Sequence, residues 1–179
     1  MTKAVIINGG NTKKSRLTAI QQKVERFFEQ EEIDFHSIYV HELPATDLIT
    51  ANFASEDIQR ANQQVAEAEI VVILTPIYKA SFTGILKTYL DLLPQKALEG
   101  KIVVPLAVGG SFGHLLAIEY ALKPVLSVLG ATEILNPVYV IDQQIERLAT
   151  GGFRVEDEAE QRLTAELQKL LTVKVSRLV

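Results

Sequence analysis

No cysteine occurs among the 179 residues. That excludes disulfides, thiolate nucleophiles and zinc–thiolate centres, so any redox chemistry must come from a cofactor. No apolar stretch approaches the roughly 20 residues of a membrane span. The N-terminal apolar run, Ala4 to Ile7, is short and leads into a glycine loop, which is unlike a signal peptide. Positive charge is scarce as well: 18 Lys and Arg stand against 22 Asp and Glu, and the cations are scattered. A nucleic-acid binder would show a basic patch or a high pI instead. Repeats, low-complexity segments and linkers are also missing. With 47% hydrophobic and 22% charged residues, the expectation is one globular domain over residues 1–179, cytoplasmic, with no metal site and no part in membrane or nucleic-acid binding.

What is present is an alternation of strand and helix patterns. Lys3–Asn8 reads as a buried first strand, Phe35–Val40 as the second, and the continuous apolar run Ile70–Thr75 as the third. Lys101–Val108 and Glu133–Ile141 follow as the fourth and fifth, the last broken by Pro137 as suits an edge position. Arg16–Gln30, Glu56–Ala68, Ile85–Leu93, Leu115–Leu129 and Glu156–Leu171 carry helical spacing. Residues 142–155, with Gly151-Gly152, read as a loop outside the core. This pattern predicts an α/β fold with a five-stranded parallel sheet, order 2-1-3-4-5, and helices on both faces. Such a fold binds ligands beyond the carboxyl ends of its strands, at the switch between strands 1 and 3.

The loops at that place hold the unusual residues. After strand 1 comes Asn8-Gly9-Gly10-Asn11-Thr12-Lys13-Lys14-Ser15-Arg16. Glycines let successive N–H groups form an anion nest, the helix start adds positive potential, and Thr12, Ser15 and Arg16 can hydrogen-bond a phosphate. The plainer alternative is a solvated turn with Ser15 capping the helix. Lys14-Ser15 lacks the glycines of a Walker A loop, and Gly9-Gly10-Asn11 is not the G-x-G-x-x-G of a dinucleotide site. A single phosphate monoester, such as that of FMN, fits so short a loop.

After strand 3, Thr75-Pro76-Ile77-Tyr78-Lys79-Ala80-Ser81-Phe82-Thr83-Gly84 suits a flat ring with polar edges. Backbone N–H groups near Ile77 and Tyr78 could stabilise charge gained by such a ring. Tyr78 and Phe82 could equally be core or interface aromatics. After strand 4, Gly109-Gly110-Ser111-Phe112-Gly113 permits close backbone approach to a ring edge. No acidic partner can be identified for His114, and no catalytic acid, base or nucleophile is assigned.

With these residues in view, the chain resembles the NADPH-dependent FMN reductase family, specifically the alkanesulfonate-type flavin reductases of two-component monooxygenases. The resemblance rests on Thr75 through Gly84, Leu86-Lys87-Thr88, Leu90 through Pro94, Pro105-Leu106-Ala107, Gly109-Gly110, His114 through Ala117, and Tyr120 through Leu126. It implies a flavodoxin-like fold, hydride transfer from NADPH or NADH to FMN, and delivery of FMNH2 to a partner monooxygenase. The residues it puts at the flavin are Gly9, Gly10, Asn11, Thr12, Ser15, Arg16, Leu17, Thr75, Pro76, Ile77, Tyr78, Lys79, Phe82, Gly109, Gly110, Ser111, Phe112 and Tyr120. One departure stands out: the family's first loop begins Gly-Ser-Pro, and here it begins Gly9-Gly10-Asn11.

The helix after strand 4 is apolar on nearly every side, which points to a second burial partner and hence a homodimer or homotetramer. Pro124 has no N–H, so a kink or bulge is expected near Tyr120. In the resembled subgroup an aromatic there sits on a π-bulge at the subunit interface. Two other functions fit the same fold: a reductase of quinones or azo dyes that keeps its FMN, and a flavodoxin-like electron carrier.

Overall fold

The computed structural model describes residues 2–176. Its centre is β1 (Lys3–Asn8), β2 (Asp34–Tyr39), β3 (Ile70–Tyr78) and β5 (Ile102–Gly109), joined in parallel, with the short β4 (Ser81–Phe82) folded back antiparallel on the end of β3. The edge is made by β6 (Glu133–Ile134) and β7 (Val138–Ile141), both pairing with β5. The spatial order is β2-β1-β3-β5-β6.

The sheet therefore has seven strands rather than the expected five. Two local causes account for the difference. Pro137 cannot donate to the ladder, and the N–H before it, that of Asn136, goes to Glu166 Oε1 at 2.8 Å, so the edge strand divides in two. At the end of β3, Lys79 and Ala80 both take positive φ (50° and 62°), which turns the chain back through a two-residue hairpin.

Helices cover both faces. α1 (Leu17–Gln30) and α6 (Asp157–Ser176) pack one side; α2 (Ala45–Ile49), α3 (Glu56–Glu67), α4 (Gly84–Leu90) and α5 (Lys123–Val128) pack the other. Val71 and Ile73 point into one core and Val72 and Leu74 into the other, all fully buried. That is why β3 reads as an unbroken apolar run, each such side chain contributing about 1.5–3 kcal/mol of burial.

Two further expectations are corrected. The helix expected over Leu115–Leu129 is a 3₁₀ turn (Phe112–His114), a π-helical turn (Ile118–Leu122) and then α5. The cause is Pro124, which offers no N–H to the carbonyl of Tyr120 four residues earlier, so the turn widens. Residues 142–155 are not a loop outside the core. They form an antiparallel hairpin, β8 (Ile145–Arg147) and β9 (Phe153–Val155), whose Ile145 and Val155 are buried with α1 and α6.

Candidate functional site

The first loop is fixed from several directions. Gly9 N–H donates to Leu74 O (2.7 Å), and Thr83 Oγ1 donates to Gly9 O (2.6 Å) while accepting from Leu86 N at the start of α4. Thr83 N–H in turn meets Thr75 Oγ1 at 3.2 Å. Asn8 Oδ1 accepts from Gly10 N (2.7 Å), its Nδ2 donates to Gln21 Oε1 (2.6 Å), and His41 Nδ1 sits 2.9 Å from Gly10 O. Lys13 pairs with Glu42 at 2.7 Å and lies over the Tyr39 ring; the carboxylate holds its pKa above the ordinary lysine value. A Cβ on Gly9 would sit 2.6 Å from Leu86 Cβ, so only glycine lets this loop lie so close to α4.

Behind that loop opens a cleft of about 190 Å³, lined by Ser15, Arg16 and Leu17, by Pro76, Ile77 and Tyr78, by Val108 and Gly109, and by Asp142 and Arg147. It lies at the carboxyl ends of β1, β3, β5 and β7, where the topology reverses. Arg16 stands at the N-cap of α1 with no side-chain cap, and the Ser15 side chain makes none either. Its Oγ is shut off from solvent without a hydrogen-bond partner, so the hydroxyl is not spent on a helix cap. Arg16 Nε donates to Ile145 O at 2.9 Å, leaving its terminal nitrogens free to turn to the cleft. On the far wall, Gly109 is required by close approach: a Cβ there would stand 2.1 Å from Tyr139 Oη. That hydroxyl donates to Ser111 O at 2.9 Å, and burial raises its pKa.

Of the expected residues, the structure brings Ser15, Arg16, Leu17, Pro76, Ile77, Tyr78 and Gly109 together around one opening. Gly9, Gly10 and Thr75 are buried beneath it as its frame, while Asn11 and Thr12 are exposed on the loop crest. Lys79 is at the exposed hairpin tip and Phe82 packs on the core below. Gly110 and Ser111 follow Gly109 on the exposed surface and do not line the cleft. Phe112 faces elsewhere: it lines a separate groove with Leu115, Tyr139 and Arg162, whose guanidinium lies 5.7 Å from its ring. Tyr120 stands on the π turn, 78% exposed and outside the cleft. The sequence reading missed Asp142 and Arg147 in the lining and Asn8, His41 and Thr83 in the frame. Asn8 was detectable, since an Asn two residues before a glycine N–H is a common local bond. Arg147 was not, because it reaches the loop from 133 positions away.

These residues suit a flavin phosphate and ring: an unpartnered hydroxyl, two guanidinium groups, and an apolar wall whose glycine admits no side chain. Among the described residues no group of His, Asp or Glu could hold a metal ion, and no helix is long and apolar enough to cross a membrane.

Fold and cleft together define a flavodoxin-like α/β protein with a cleft at its topological switch point. The profile of the family described as NADPH-dependent FMN reductase matches residues 2–146, and the chain belongs to that family. It is 43% identical to an FMN reductase (NADPH) of Pseudomonas putida, over 79% of this chain and 72% of that protein. It is 34% identical to the NADH-dependent FMN reductase SfnE of Pseudomonas putida, over 79% of this chain and 77% of the other. Among solved structures, the apo form of the NADH:FMN oxidoreductase EmoB superposes with a TM-score of 0.84 at 29% identity, covering 94% of this chain and 88% of that one.

Proposed function

We propose that the protein reduces FMN at the expense of NADPH or NADH and releases the reduced flavin to a separate monooxygenase that cleaves sulfonates. Family membership carries the first half, NAD(P)H:FMN oxidoreductase activity. The single observation that carries the site is the cleft itself, with Ser15, Arg16 and Arg147 at one end and Ile77, Tyr78 and Gly109 at the other. When bound, the flavin supplies the hydride-accepting centre. The chain supplies position and electrostatics. Ser15 and Arg16 hold the phosphate, with Gly10, Asn11 and Thr12 forming the turn above it. Thr75 and Pro76 stiffen the wall on which Ile77 and Tyr78 meet the ring, with Lys79 and Phe82 bracing the hairpin behind them. Gly109, Gly110 and Ser111 border the opposite edge.

Tyr120, Leu116 and Phe112 are exposed around the π turn, an apolar area that a homodimer or homotetramer would cover. The protein then acts as a single cytoplasmic domain per subunit. The test is NADPH and NADH oxidation by purified protein with and without added FMN. Turnover that requires and scales with free FMN is the expected result. Steady quinone reduction by yellow protein, unaffected by free FMN, would replace the export reading with a retained-flavin reductase.

A further inference from the structure

The phosphate loop and the β8–β9 hairpin hold each other by two hydrogen bonds of opposite direction. Arg16, on the loop, donates to the Ile145 carbonyl of the hairpin at 2.9 Å. Arg147, on the hairpin, donates to the Lys14 carbonyl of the loop, also at 2.9 Å. Each guanidinium thus anchors one donor on the other segment and keeps several in reserve. Arg147 is further steadied over the Phe153 ring, 5.0 Å away. Both arginines line the cleft that contains the unpartnered Ser15 hydroxyl.

Their charges are unmatched. Among the described residues neither Arg16 nor Arg147 makes an ion pair, whereas Lys13 pairs with Glu42 and Arg154 with Glu146. The one carboxylate lining the cleft, Asp142, follows Ile141, which pairs with Gly109, and it acts electrostatically on Tyr139. Its carboxylate makes no ion pair with either arginine. Two unpaired guanidiniums and an orphan hydroxyl around one opening are the donor set for a dianion.

Taking the flavin reading as given, we infer that Arg147 is a second guanidinium for the phosphate monoester of FMN and sets the discrimination of FMN against riboflavin. The hairpin, distant in sequence, completes a site of which the first loop makes only half. NADPH carries a phosphate monoester too, and the experiment separates the two sources.

The test is flavin-fluorescence titration of the full chain, wild type, Arg147→Gln and Arg147→Lys, with FMN and with riboflavin, alongside NADPH and NADH titrations. The wild type should prefer FMN. Arg147→Gln should weaken FMN on the order of tenfold and leave riboflavin unchanged, as loss of a charge-assisted pair predicts. Arg147→Lys, keeping charge without the planar fork, should fall between. Equal weakening of FMN and riboflavin would mean that Arg147 only clasps the loop, and would overturn the inference. So would a loss confined to NADPH against NADH. A wild type that binds neither flavin would defeat the flavin reading itself, and the inference with it.

Discussion

The first loop and the segments flanking the cleft's opposite wall differ in how their backbone is held. From Asn8 to Arg16 the chain is tied to β3, to α4, to the segment after β2 and to the β8–β9 hairpin, through Gly9, Gly10, Lys14 and Arg16. At the other end, Lys79 and Ala80 adopt left-handed conformations without being glycine. Ser111 to Tyr120 then passes through a 3₁₀ turn and a π turn, with Phe112, Leu115, Leu116 and Tyr120 exposed. The first is preorganised, so a group binding there would meet little reorganisation cost. The other stores strain and leaves apolar surface open, as suits a place where a second nucleotide or a protein must come and go.

The comparison can be broken at the tied end. Gly9→Ala would set a methyl 2.6 Å from Leu86 Cβ, an atom too close to its own backbone to swing aside. It should cost about 2–3 kcal/mol, read as a lower urea midpoint, and should weaken FMN binding with it. At the strained end the sign reverses. Ala80→Gly places glycine where φ is 62° and should raise stability by about 1 kcal/mol, read in the same urea titration. A loss of stability there would show that the hairpin tip carries no strain.

Much of this was legible in the letters. β3 and β5 are buried on both faces, so their apolar runs were unambiguous, and the order of the parallel strands followed from the alternation with helices. Pro124 announced a widened turn near Tyr120, because a missing N–H has only local remedies. Pro137 was visible too, but whether a proline ends, bends or divides an edge strand depends on what takes the neighbouring N–H, here Glu166 from α6. The β8–β9 hairpin was hidden for a related reason. Gly151 and Gly152 do turn the chain with positive φ, yet only tertiary packing buries Ile145 and Val155. Ser15 shows the limit most sharply. The same residue at a helix start can serve as cap or ligand, and only the folded structure shows that here its hydroxyl is enclosed and caps nothing. The change from the family's Gly-Ser-Pro to Gly9-Gly10-Asn11 also acquires a physical partner. A Cβ at Gly10 would lie 2.9 Å from Asn8 Oδ1 and 3.0 Å from Leu17 Cδ2, so the Asn8 bond to the loop relies on the glycine.

Backbone amide hydrogen exchange, residue by residue and with and without FMN, tests the central claim most directly. The account predicts that the amides of Gly9 and Gly10, bonded to Leu74 O and Asn8 Oδ1, are already protected without flavin, and that residues 111–117 exchange orders of magnitude faster. A phosphate loop that exchanges as fast as residues 111–117 until FMN is added would contradict it, showing that the flavin builds the anchor rather than finding it.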